Sequence, residues 1–533
     1  MTPPALPASL VDLLGRRAER DPETPYFHVY DETVTYGRLW RESARYAAGL
    51  RRFGVDRGDT ICLIYPTCAE FFYTFFGALR LGAIPVPLYP TLGVDATASI
   101  FRDSEASVVA TIGWFRPGVD ESAAAAANIR HIVEPTDLEV DDAVPAFPAI
   151  GRDDTAFLQY TSGSTGQPRG VVLSHANVVD TVAFMAEAAQ LTRDDVVVSW
   201  LPLYHDMGLI GCSFTPPWSG APLYLLPPDL KNPRVWLELI TRVKATFTVS
   251  PDFGYRNCVR NIGDTAGIDL GSLKQALSGA EPVRTTTIEA FEDKFGVPNV
   301  ITPCYGLAEA TLAVAIWPRK TPLRFDSSGR FLSVGQPCRG VRVRIMEGPD
   351  EVKAGVEAEI CVASPGVMQG YYNNPEATAQ VLSPDGWLRT GDLGFLDAEG
   401  FLYVTGRLKD VIILGGENVI PSDIEEIVDH VPGVRYSAAV GLESERTGTQ
   451  RLHVVAEVRE QAGDAETLSR LVREIVQRVR EGRGHRPARV LLVRPGTIPK
   501  TSSGKIQRSR LSEMIARDEL AASLLHASGA PGA

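Results

Sequence analysis

A segment rich in glycine and hydroxyl side chains lies between two apolar runs of this sequence. Residues 160–170 read YTSGSTGQPRG, which places four serine or threonine hydroxyls and two glycines ahead of Arg169. Hydroxyls and unshielded backbone N–H groups donate hydrogen bonds to phosphate oxygens, and glycine lets the backbone approach without a Cβ clash. A flexible Ser/Gly linker is the alternative, but the flanking apolar runs at 156–159 and 171–173 favour a phosphate-binding loop between strands. No Gly-Lys-Ser/Thr follows, so this is not a Walker-type loop.

Six further segments carry residue types suited to the same chemistry. In chain order they are Tyr204-His205-Asp206-Met207-Gly208, Gly279-Ala280-Glu281-Pro282, Tyr305-Gly306-Leu307-Ala308-Glu309, Thr390-Gly391-Asp392, Gly406-Arg407-Leu408-Lys409-Asp410 and Pro499-Lys500-Thr501-Ser502-Ser503-Gly504-Lys505. Together with the loop, they resemble the adenylate-forming superfamily, which includes acyl-CoA synthetases, peptide-synthetase adenylation domains and luciferases. One departure is Arg169, which stands where family members usually carry lysine and keeps the positive charge.

The resemblance implies an enzyme that uses ATP to activate a carboxylic acid. The carboxylate attacks the α-phosphorus to give an acyl-AMP and pyrophosphate, and the acyl group then passes to a thiol. Asp392 is expected to accept both ribose hydroxyls, and an ordinary aspartate in a Gly-Asp turn is the alternative. The residues that the resemblance assigns to ATP or AMP are Thr161, Ser162, Gly163, Ser164, Thr165, Gly166, Arg169, Gly279, Ala280, Glu281, Pro282, Tyr305, Gly306, Asp392 and Arg407.

The same resemblance implies catalytic roles for Lys505, His205, Thr165 and Glu309. Lys505 is expected to neutralise charge that develops between the carboxylate and the α-phosphate, and a solvated loop lysine is the alternative. Glu309 and the Thr165 hydroxyl are expected to hold Mg²⁺, although a helix-terminal glutamate is also compatible with the sequence. His205 either contacts the acyl substrate or has a structural role. Lys409 marks the hinge about which a small domain is expected to rotate.

The elements that must position these residues are predicted to form an α/β fold. From about residue 8 to 330, helix-like segments alternate with short apolar runs, which indicates parallel sheets with crossover helices. Shorter alternating strands then indicate a small antiparallel barrel or sheet. We therefore predict a large N-terminal domain of parallel-sheet subdomains plus a small β-barrel, and a mobile, smaller C-terminal α+β domain. The expected bounds are 1–406 for the adenylation domain, 407–410 for the hinge, 411–525 for the C-terminal domain and 526–533 for a flexible tail.

Composition argues against several other classes of protein. The 533 residues carry a net charge of −12, whereas a general nucleic-acid binder has a basic excess. The most apolar stretch is interrupted by Arg80 and closed by prolines, so no membrane span is expected, and the start lacks the pattern of a signal peptide. Seven cysteines without a CxxC pair indicate reduced thiols in a cytoplasmic protein rather than a zinc site or a disulfide framework.

Resemblance to subfamilies narrows the acid and the thiol acceptor. Amino-acid-activating domains carry an aspartate where this sequence has His205, so a medium or long aliphatic acid is expected. Free CoA stays open as the acceptor, because residues 312–335 leave little room for an insertion found in fatty acyl-AMP ligases, and residues 415–419 read more like acyl-CoA synthetases. The sequence is most similar to those ligases at 158–163, 200–211, 279–284 and 303–312. They commonly deliver the acyl group to the phosphopantetheine arm of an acyl carrier protein, so the resemblance favours a carrier protein over CoA.

A basic segment near the C-terminus is expected to bind a partner, and two functions other than acid activation are also compatible with the sequence. Residues 467–511 contain twelve lysines and arginines but only two glutamates. This excess of positive charge predicts a surface that binds an acidic carrier protein or a CoA phosphate, and a solvated helix face is the alternative. A non-catalytic nucleotide-binding regulator is one rival function. A luciferase-like enzyme that uses oxygen is the other.

Overall fold

The structure is a computed structural model that describes residues 6–140, 146–161, 168–414, 417–444, 449–459, 464–500 and 506–528. A large lobe extends to about residue 407 and a small lobe begins at about residue 412. Between them, Leu408–Asp410 form a single 3-10 turn.

The α-helices are distributed over both lobes. Those of the large lobe are α1 (Leu10–Arg20), α2 (Tyr36–Arg52), α3 (Ala69–Leu81), α4 (Val94–Asp103), α5 (Arg116–Ala126), α6 (Pro135–Leu138), α7 (His175–Ala188), α8 (Thr215–Ser219), α9 (Arg234–Val243), α10 (Asp252–Asn261), α11 (Thr285–Phe295) and α12 (Pro375–Val381). Those of the small lobe are α13 (Pro421–Asp429), α14 (Ala465–Arg483) and α15 (Arg508–Ala516). A π-helix spans Met207–Phe214, and further 3-10 turns span Ala308–Ala310 and Ala521–Ser523.

The strands follow the same division. The first part of the large lobe contains β1 (Pro25–Val29), β2 (Glu32–Thr35), β3 (Thr60–Ile64), β4 (Ile84–Pro87), β5 (Val108–Thr111), β6 (His131–Val133), β7 (Thr155–Thr161) and β8 (Arg169–Ser174). Next come β9 (Val197–Ser199), β10 (Leu223–Leu225), β11 (Phe247–Pro251), β12 (Gln275–Gly279), β13 (Ile301–Gly306) and β14 (Ala313–Ile316). The lobe ends with β15 (Ser333–Gly335), β16 (Arg342–Glu347), β17 (Asp350–Glu351), β18 (Ala358–Ala363), β19 (Gly370–Tyr371), β20 (Leu388–Leu396) and β21 (Leu402–Arg407). The small lobe has β22 (Ile412–Leu414), β23 (Glu417–Val419), β24 (Val434–Ser444), β25 (Thr449–Val458), β26 (Arg489–Val493) and β27 (Leu524–Ala527).

Two sheets of the large lobe are built mainly from parallel strands. One has the order β14-β13-β12-β11-β9-β10-β1-β2 and is parallel from β13 to β1, with antiparallel partners at both edges. The other has the order β4-β3-β5-β6 and is parallel throughout. Helices connect most neighbouring parallel strands, as a parallel pair requires a crossover. The predicted α/β architecture is confirmed.

The strands after residue 330 form the predicted antiparallel sheet. Its order is β15-β21-β20-β18-β16-β17, and every neighbouring pair is antiparallel. Over the described residues no strand pair joins β15 to the two-residue β17, so the sheet stays open where a closed barrel was expected. A separate hairpin of β7 and β8, with β19 added at its edge, carries the two ends of the predicted phosphate loop.

The small lobe is an α+β unit. Its sheet has the order β24-β25-β26-β27, and the short hairpin of β22 and β23 lies beside it. The strand β27 includes His526 and Ala527, which the sequence placed in the tail. Pairing with β26 orders these two residues, and residues 529–533 lie outside the described residues.

Helix α7 shows how local sequence positions a cavity wall. Its N-cap is Ser174, whose hydroxyl accepts the N–H of Asn177 at 3.1 Å, while Asn177 Oδ1 accepts the N–H of Ser174 at 2.9 Å. This reciprocal capping satisfies two helix-end donors. Asn177 Nδ2 also donates to the carbonyls of Pro365 and Val367, so the cap fixes α7 against the chain that leads into β19.

The apolar cores of the two lobes are separate. Over the described residues, the clusters of buried apolar side chains in the large lobe end at Leu402 and those of the small lobe begin at Ile412. Contacts between the lobes are therefore polar in character. Arg284 Nη1 lies 2.6 Å from Asp429 Oδ2, Arg330 pairs with Asp423, and Arg260 Nη1 donates to the carbonyl of Arg435 at 3.3 Å.

Candidate active site

A cavity of about 670 Å³ lies at the carboxyl ends of β11, β12 and β13. Parallel sheets bind ligands at this edge because the loops that follow the strands converge there. The cavity brings together predicted site residues from segments that are far apart in the sequence. Those on its wall are Thr161, Arg169, His205, Ala280, Tyr305, Gly306, Glu309, Arg407 and Lys409.

Asp392 lies at the centre of a polar cluster beside this cavity. Its side chain is 6% exposed; Oδ2 accepts the Tyr305 hydroxyl at 2.7 Å, and Oδ1 lies 2.9 Å from Arg407 Nε. Burial raises the pKa of the Tyr305 hydroxyl and the carboxylate of Asp392 raises it further, so this hydroxyl stays protonated and donates. The Asp392 carboxylate likewise raises the pKa of Arg407. Each carboxylate oxygen keeps a second lone pair, which can accept a ribose hydroxyl.

Glu309 lies in the 3-10 turn Ala308–Ala310 on the cavity wall. Its Oε1 accepts the Tyr371 hydroxyl at 2.9 Å, and the Arg169 guanidinium lies 5.3 Å from the centroid of the Tyr371 ring. Burial, followed by the nearby Glu309 carboxylate, raises the pKa of Tyr371. One carboxylate at a polyphosphate site suits Mg²⁺, which takes one or two protein carboxylates together with phosphate oxygens and waters. Among the described residues there is no cluster of three or more His, Cys, Asp or Glu that could hold a metal ion.

The substrate-side loop is held by its own hydrogen bonds. His205 Nδ1 lies 2.9 Å from Asp206 Oδ1, and the same oxygen accepts the N–H of Met207 at 2.7 Å, at the start of the π-helix. The Tyr204 carbonyl accepts Gln159 Nε2 at 2.9 Å, which ties the loop to β7. The Asp206 carboxylate therefore helps to hold the loop, and both His205 and Asp206 line the cavity.

The small residues of the predicted adenine-side segments are explained by close backbone packing. A Cβ on Gly306 would overlap the carbonyl of Leu312, and a Cβ on Gly279 would lie 2.6 Å from Cys304 Sγ. Ala280 follows with a φ of 65°, a left-handed conformation that costs energy for a residue with a side chain. Strained backbone of this kind clusters at binding sites, and Ala280 lines the cavity.

Glu281 and Pro282 are not brought into the cavity wall. Glu281 Oε1 instead accepts the N–H of Phe253 at 2.5 Å, and its carboxyl group faces buried Asp252. Burial and the Asp252 carboxylate raise the pKa of Glu281, while Arg256 opposes the shift. The Glu281 carboxyl group thus links the end of β12 to the start of α10, and the assignment of Glu281 and Pro282 to the nucleotide site stays a prediction.

Some predicted residues lie outside the described residues, namely Ser162, Gly163, Ser164, Thr165, Gly166 and Lys505. The two ends of the phosphate loop are described: Thr161 and Arg169 pair across the β7–β8 hairpin.

Lys409 lies in the 3-10 turn between the lobes, next to Asp410, whose Oδ2 is 3.1 Å from Arg508 Nη1. The same arginine pairs with buried Glu425 at 2.7 Å, so Arg508 does not belong to the free basic surface that the sequence predicted.

Tyr371 and Gln159 contribute to the site, although the sequence did not predict either of them. Tyr371 pairs with Val171 in the register of β19 with β8, which brings its hydroxyl to Glu309. Gln159 lines the cavity, and within the described residues its buried Oε1 has no hydrogen-bond partner. For Gln159, its position two residues before Thr161 was an available signal. For Tyr371 no local pattern exists, because the contact depends on strand pairing between distant segments.

Comparison with known proteins agrees with this geometry. Residues 14–372 match the AMP-binding enzyme family, and residues 416–510 match the AMP-binding enzyme C-terminal domain. The chain therefore belongs to the AMP-binding enzyme family, the adenylate-forming enzymes that use ATP. No helix within the described part of the chain is long and apolar enough to cross a membrane.

Individual relatives point to one branch of that family. The chain is 34% identical to the medium-chain-fatty-acid–[acyl-carrier-protein] ligase JamA of Moorena producens, over 94% of each chain. It is 32% identical to the long-chain-fatty-acid–AMP ligase FadD26 of Mycobacterium marinum, over 97% of this chain and 98% of that one. A structure from studies of fatty acyl-adenylate ligases of E. coli and L. pneumophila superposes with a TM-score of 0.87 at 28% identity, covering 97% of this chain and 99% of that one. The predicted resemblance to fatty acyl-AMP ligases is confirmed.

The relatives are also longer in places. The alignment with the Moorena producens ligase runs over 570 positions, although this chain has only 533 residues and 94% of it is aligned. That ligase therefore contains segments that this chain lacks.

Proposed function

We propose that this enzyme converts an aliphatic carboxylic acid and ATP into an acyl-AMP and pyrophosphate, and then transfers the acyl group to a phosphopantetheine thiol. One observation carries the proposal: a single cavity joins the polar cluster around Tyr305, Arg407 and Glu309 to an apolar chamber lined by Met185, Val249, Leu277 and Ile316. A nucleotide and a hydrocarbon chain thus have adjoining sites. Pockets of this kind, apolar with a few convergent polar groups, are typical of small-molecule sites.

In the first half-reaction, a carboxylate oxygen forms a bond to the α-phosphorus and the bond to the β-phosphate oxygen breaks. Asp392 is suited to hold the ribose, with Tyr305 and Arg407 fixing the carboxylate. Arg169 beside Tyr371 provides a positive charge at the end of the phosphate loop. Lys505 is proposed to neutralise the charge on the reacting oxygens, a contact that is worth about 3–4 kcal/mol in comparable sites. Mg²⁺ held by Glu309 and Thr165 would supply further charge neutralisation on the phosphates.

The acid is proposed to be a fatty acid. The chamber beyond His205 is apolar, and the neighbouring Asp206 carboxylate is engaged by His205 and the Met207 N–H. A substrate ammonium group would therefore have to displace contacts that hold the loop. Apolar walls, in contrast, favour a hydrocarbon chain in proportion to the area buried.

An acyl carrier protein is the proposed acyl acceptor, supported by the similarity of the chain to the acyl-carrier-protein ligase of Moorena producens. The sulfur attacks the acyl carbonyl carbon and AMP leaves. Free CoA is the second candidate, because the chain lacks segments that this relative contains. The proposed compartment is the cytoplasm, which supplies ATP and keeps thiols reduced, in agreement with seven free cysteines.

The small lobe is proposed to move between the two half-reactions. The proposed division is 1–406, a hinge at 407–410 that includes Lys409, and 411–525 as the mobile domain that carries Lys505. Separate apolar cores and a polar interface support it, since such contacts break at lower cost than a shared core. Rotation would replace Lys505 at the cavity by a path for the thiol, which is a hinge-type switch.

The decisive experiment is acid-dependent exchange of radiolabelled pyrophosphate into ATP, across a panel of acids. We expect exchange with fatty acids, and then faster loss of the preformed adenylate with a holo-carrier protein than with CoA. The Lys505→Ala variant should lose about a hundredfold or more in exchange rate yet still bind ATP. Lys353→Ala, at an exposed lysine of the large lobe, is the matched control and should retain exchange. Full exchange by Lys505→Ala would remove the role assigned to that lysine.

A further inference from the structure

The apolar chamber runs along one face of the parallel sheet, away from the nucleotide end. Strands β11 and β12 pair with Pro251 opposite Gly279, Val249 opposite Leu277 and Phe247 opposite Gln275. Alternate residues of a strand share a face, so these three levels form successive layers under the cavity. Val249, Leu277 and Phe247 all line it, which makes Phe247 the deepest wall residue on β11.

Behind Phe247 the protein interior turns from apolar to charged. The Arg319 guanidinium carbon lies 5.8 Å from the Phe247 ring centroid, and its side chain is only 7% exposed. Gln275, fully buried at the same level, accepts Arg319 Nε at 3.3 Å and donates to Thr302 and to the carbonyl of Trp317. The Arg319 Nη2 atom is buried and, among the described residues, has no hydrogen-bond partner.

The Arg319 guanidinium is held in place by an ion pair and by the hydrogen bonds of its partner. Arg319 Nη1 lies 3.2 Å from Asp195 Oδ1, and Asp195 is 1% exposed. The same oxygen accepts the Thr246 hydroxyl at 2.8 Å and Lys274 Nζ at 3.0 Å. Moving Arg319 away would break its ion pair with buried Asp195 and its hydrogen bond to Gln275, which is costly in the protein interior. A hydrocarbon chain that reaches Phe247 therefore meets a rigid wall with a charge directly behind it.

We infer that Phe247, backed by the Arg319–Asp195–Gln275 network, is the floor that sets the chain length of the acid, and that the substrates are medium-chain fatty acids. The inference rests on the proposed function and adds to it the substrate class and the residue that selects it. Phe247 contacts the end of the chain. Arg319 acts through Phe247 as a positioning residue.

The register gives the length of the chamber. Four residues separate the Gly279 level, at the polar end, from the Phe247 level, which corresponds to about 13 Å at about 3.3 Å per residue. An extended hydrocarbon chain advances about 1.3 Å per carbon, from single bonds of about 1.5 Å at tetrahedral angles. The chamber thus accepts acids of about eight to twelve carbons. Within this range each added methylene should raise kcat/KM by about fourfold, and beyond it kcat/KM should fall.

The test measures kcat/KM for pyrophosphate release with straight-chain acids from six to sixteen carbons. Phe247→Ala opens the floor, so tetradecanoate should gain at least tenfold over the natural enzyme. Val249→Phe adds bulk one layer nearer the nucleotide, about 7 Å closer to it. That variant should lose at least tenfold with decanoate while hexanoate stays within threefold. The two variants shift the profile in opposite directions, so a folding defect in one leaves the other informative.

A second comparison tests the charge behind the floor. In Phe247→Ala the new space is bordered by the unpaired Arg319 donor, so 14-hydroxytetradecanoate should be used better than tetradecanoate. In Phe247→Ala combined with Arg319→Met that preference should reverse. A preference for the plain acid in Phe247→Ala alone would overturn the polar floor.

The outcomes distinguish a wrong assignment of the chamber floor from a wrong proposed function. If the natural enzyme, Phe247→Ala and Val249→Phe release pyrophosphate with the same chain-length profile, the floor assignment is wrong while acid activation stands. If no acid of any length supports pyrophosphate release by the natural enzyme, the proposed function itself fails.

Discussion

Asp429→Asn should weaken the contact between the two lobes by about thirtyfold. Asp429 is 5% exposed and Arg284 19% exposed, and their charged atoms lie 2.6 Å apart, so the pair is only slightly screened by water. A hydrogen bond to a charged group contributes about 1.5–3 kcal/mol. Arg284 keeps some compensation, because its backbone N–H donates to Asp252 Oδ1 at 3.1 Å and so holds this buried carboxylate beside it. We therefore take about 2 kcal/mol, or a factor of about 30 in the equilibrium between docked and released lobes.

The substitution is nearly isosteric and leaves the lobe itself intact. The Ser437 hydroxyl donates to Asp429 Oδ1 at 2.8 Å, and the amide oxygen of asparagine can still accept it. The expected change is therefore in the position of the small lobe and not in its stability. A released population of about 1% would rise to about a quarter, which a distance measurement can resolve.

The assay is a distance distribution between two spin labels on introduced cysteines. Exposed positions Glu289 on α11 and Arg470 on α14 are suitable, one in each lobe. Glu399→Gln is the matched control, because it removes an acidic partner from Arg324 within the large lobe. The reasoning is refuted if Asp429→Asn leaves the distribution unchanged, or if Glu399→Gln broadens it equally. Adding Arg284→Met to Asp429→Asn should give no further broadening, since the pair is already broken.

Two further predictions concern the nucleotide site and pH. Asp392→Asn should weaken AMP binding by about ten- to hundredfold in calorimetry, because it removes a charged acceptor worth about 1.5–3 kcal/mol; unchanged affinity would exclude Asp392 as the ribose ligand. Burial lowers the pKa of His175 from 6.5 to about 4, and its Nδ1 accepts the N–H of Leu10 at 3.3 Å, so it folds in the neutral form. Because the unfolded chain then binds the proton first, the free energy of unfolding should fall by about 3 kcal/mol as pH drops from 6.5 to 4. In urea titrations His175→Gln should lose this contribution to the pH dependence, whereas exposed His131→Gln should keep it; an equal slope in both variants would contradict the assignment.

Local sequence was sufficient where a residue's role depends on its own strand end or turn. The flanking apolar runs of the phosphate loop predicted β7 and β8, and the glycines of the adenine-side segments stand where a Cβ would clash. Tyr305 lies at the end of β13 and Glu309 in the turn that follows it, whereas Arg407 ends β21 of the antiparallel sheet; all three line one cavity because these two strand ends meet there. The expected roles of Ser162 to Gly166 and of Lys505 remain predictions, since these residues lie outside the described part.

Contacts between distant segments could not be predicted from the sequence, for a physical reason. The Glu281 carboxyl group accepts a backbone N–H at the start of α10, and only the tertiary fold decides which partner such a group meets. Arg319 follows Pro318 and precedes Lys320, a context typical of a solvated turn, yet its side chain is buried behind the acyl chamber. Arg508 is a second arginine of this kind, because its guanidinium pairs with buried Glu425 instead of being solvated. Periodicity and charge counts cannot distinguish these cases.

The division of the hydrophobic interior has a consequence for how such a protein can change over evolutionary time. Because each lobe buries its own apolar side chains, a substitution in one interior leaves the packing of the other untouched. A foreign small lobe would need to match only a few surface charges, such as those of Arg284 and Arg330, to dock. Exchange of whole lobes between relatives, followed by adjustment of those few positions, is therefore an accessible route to new pairings of acid and thiol acceptor.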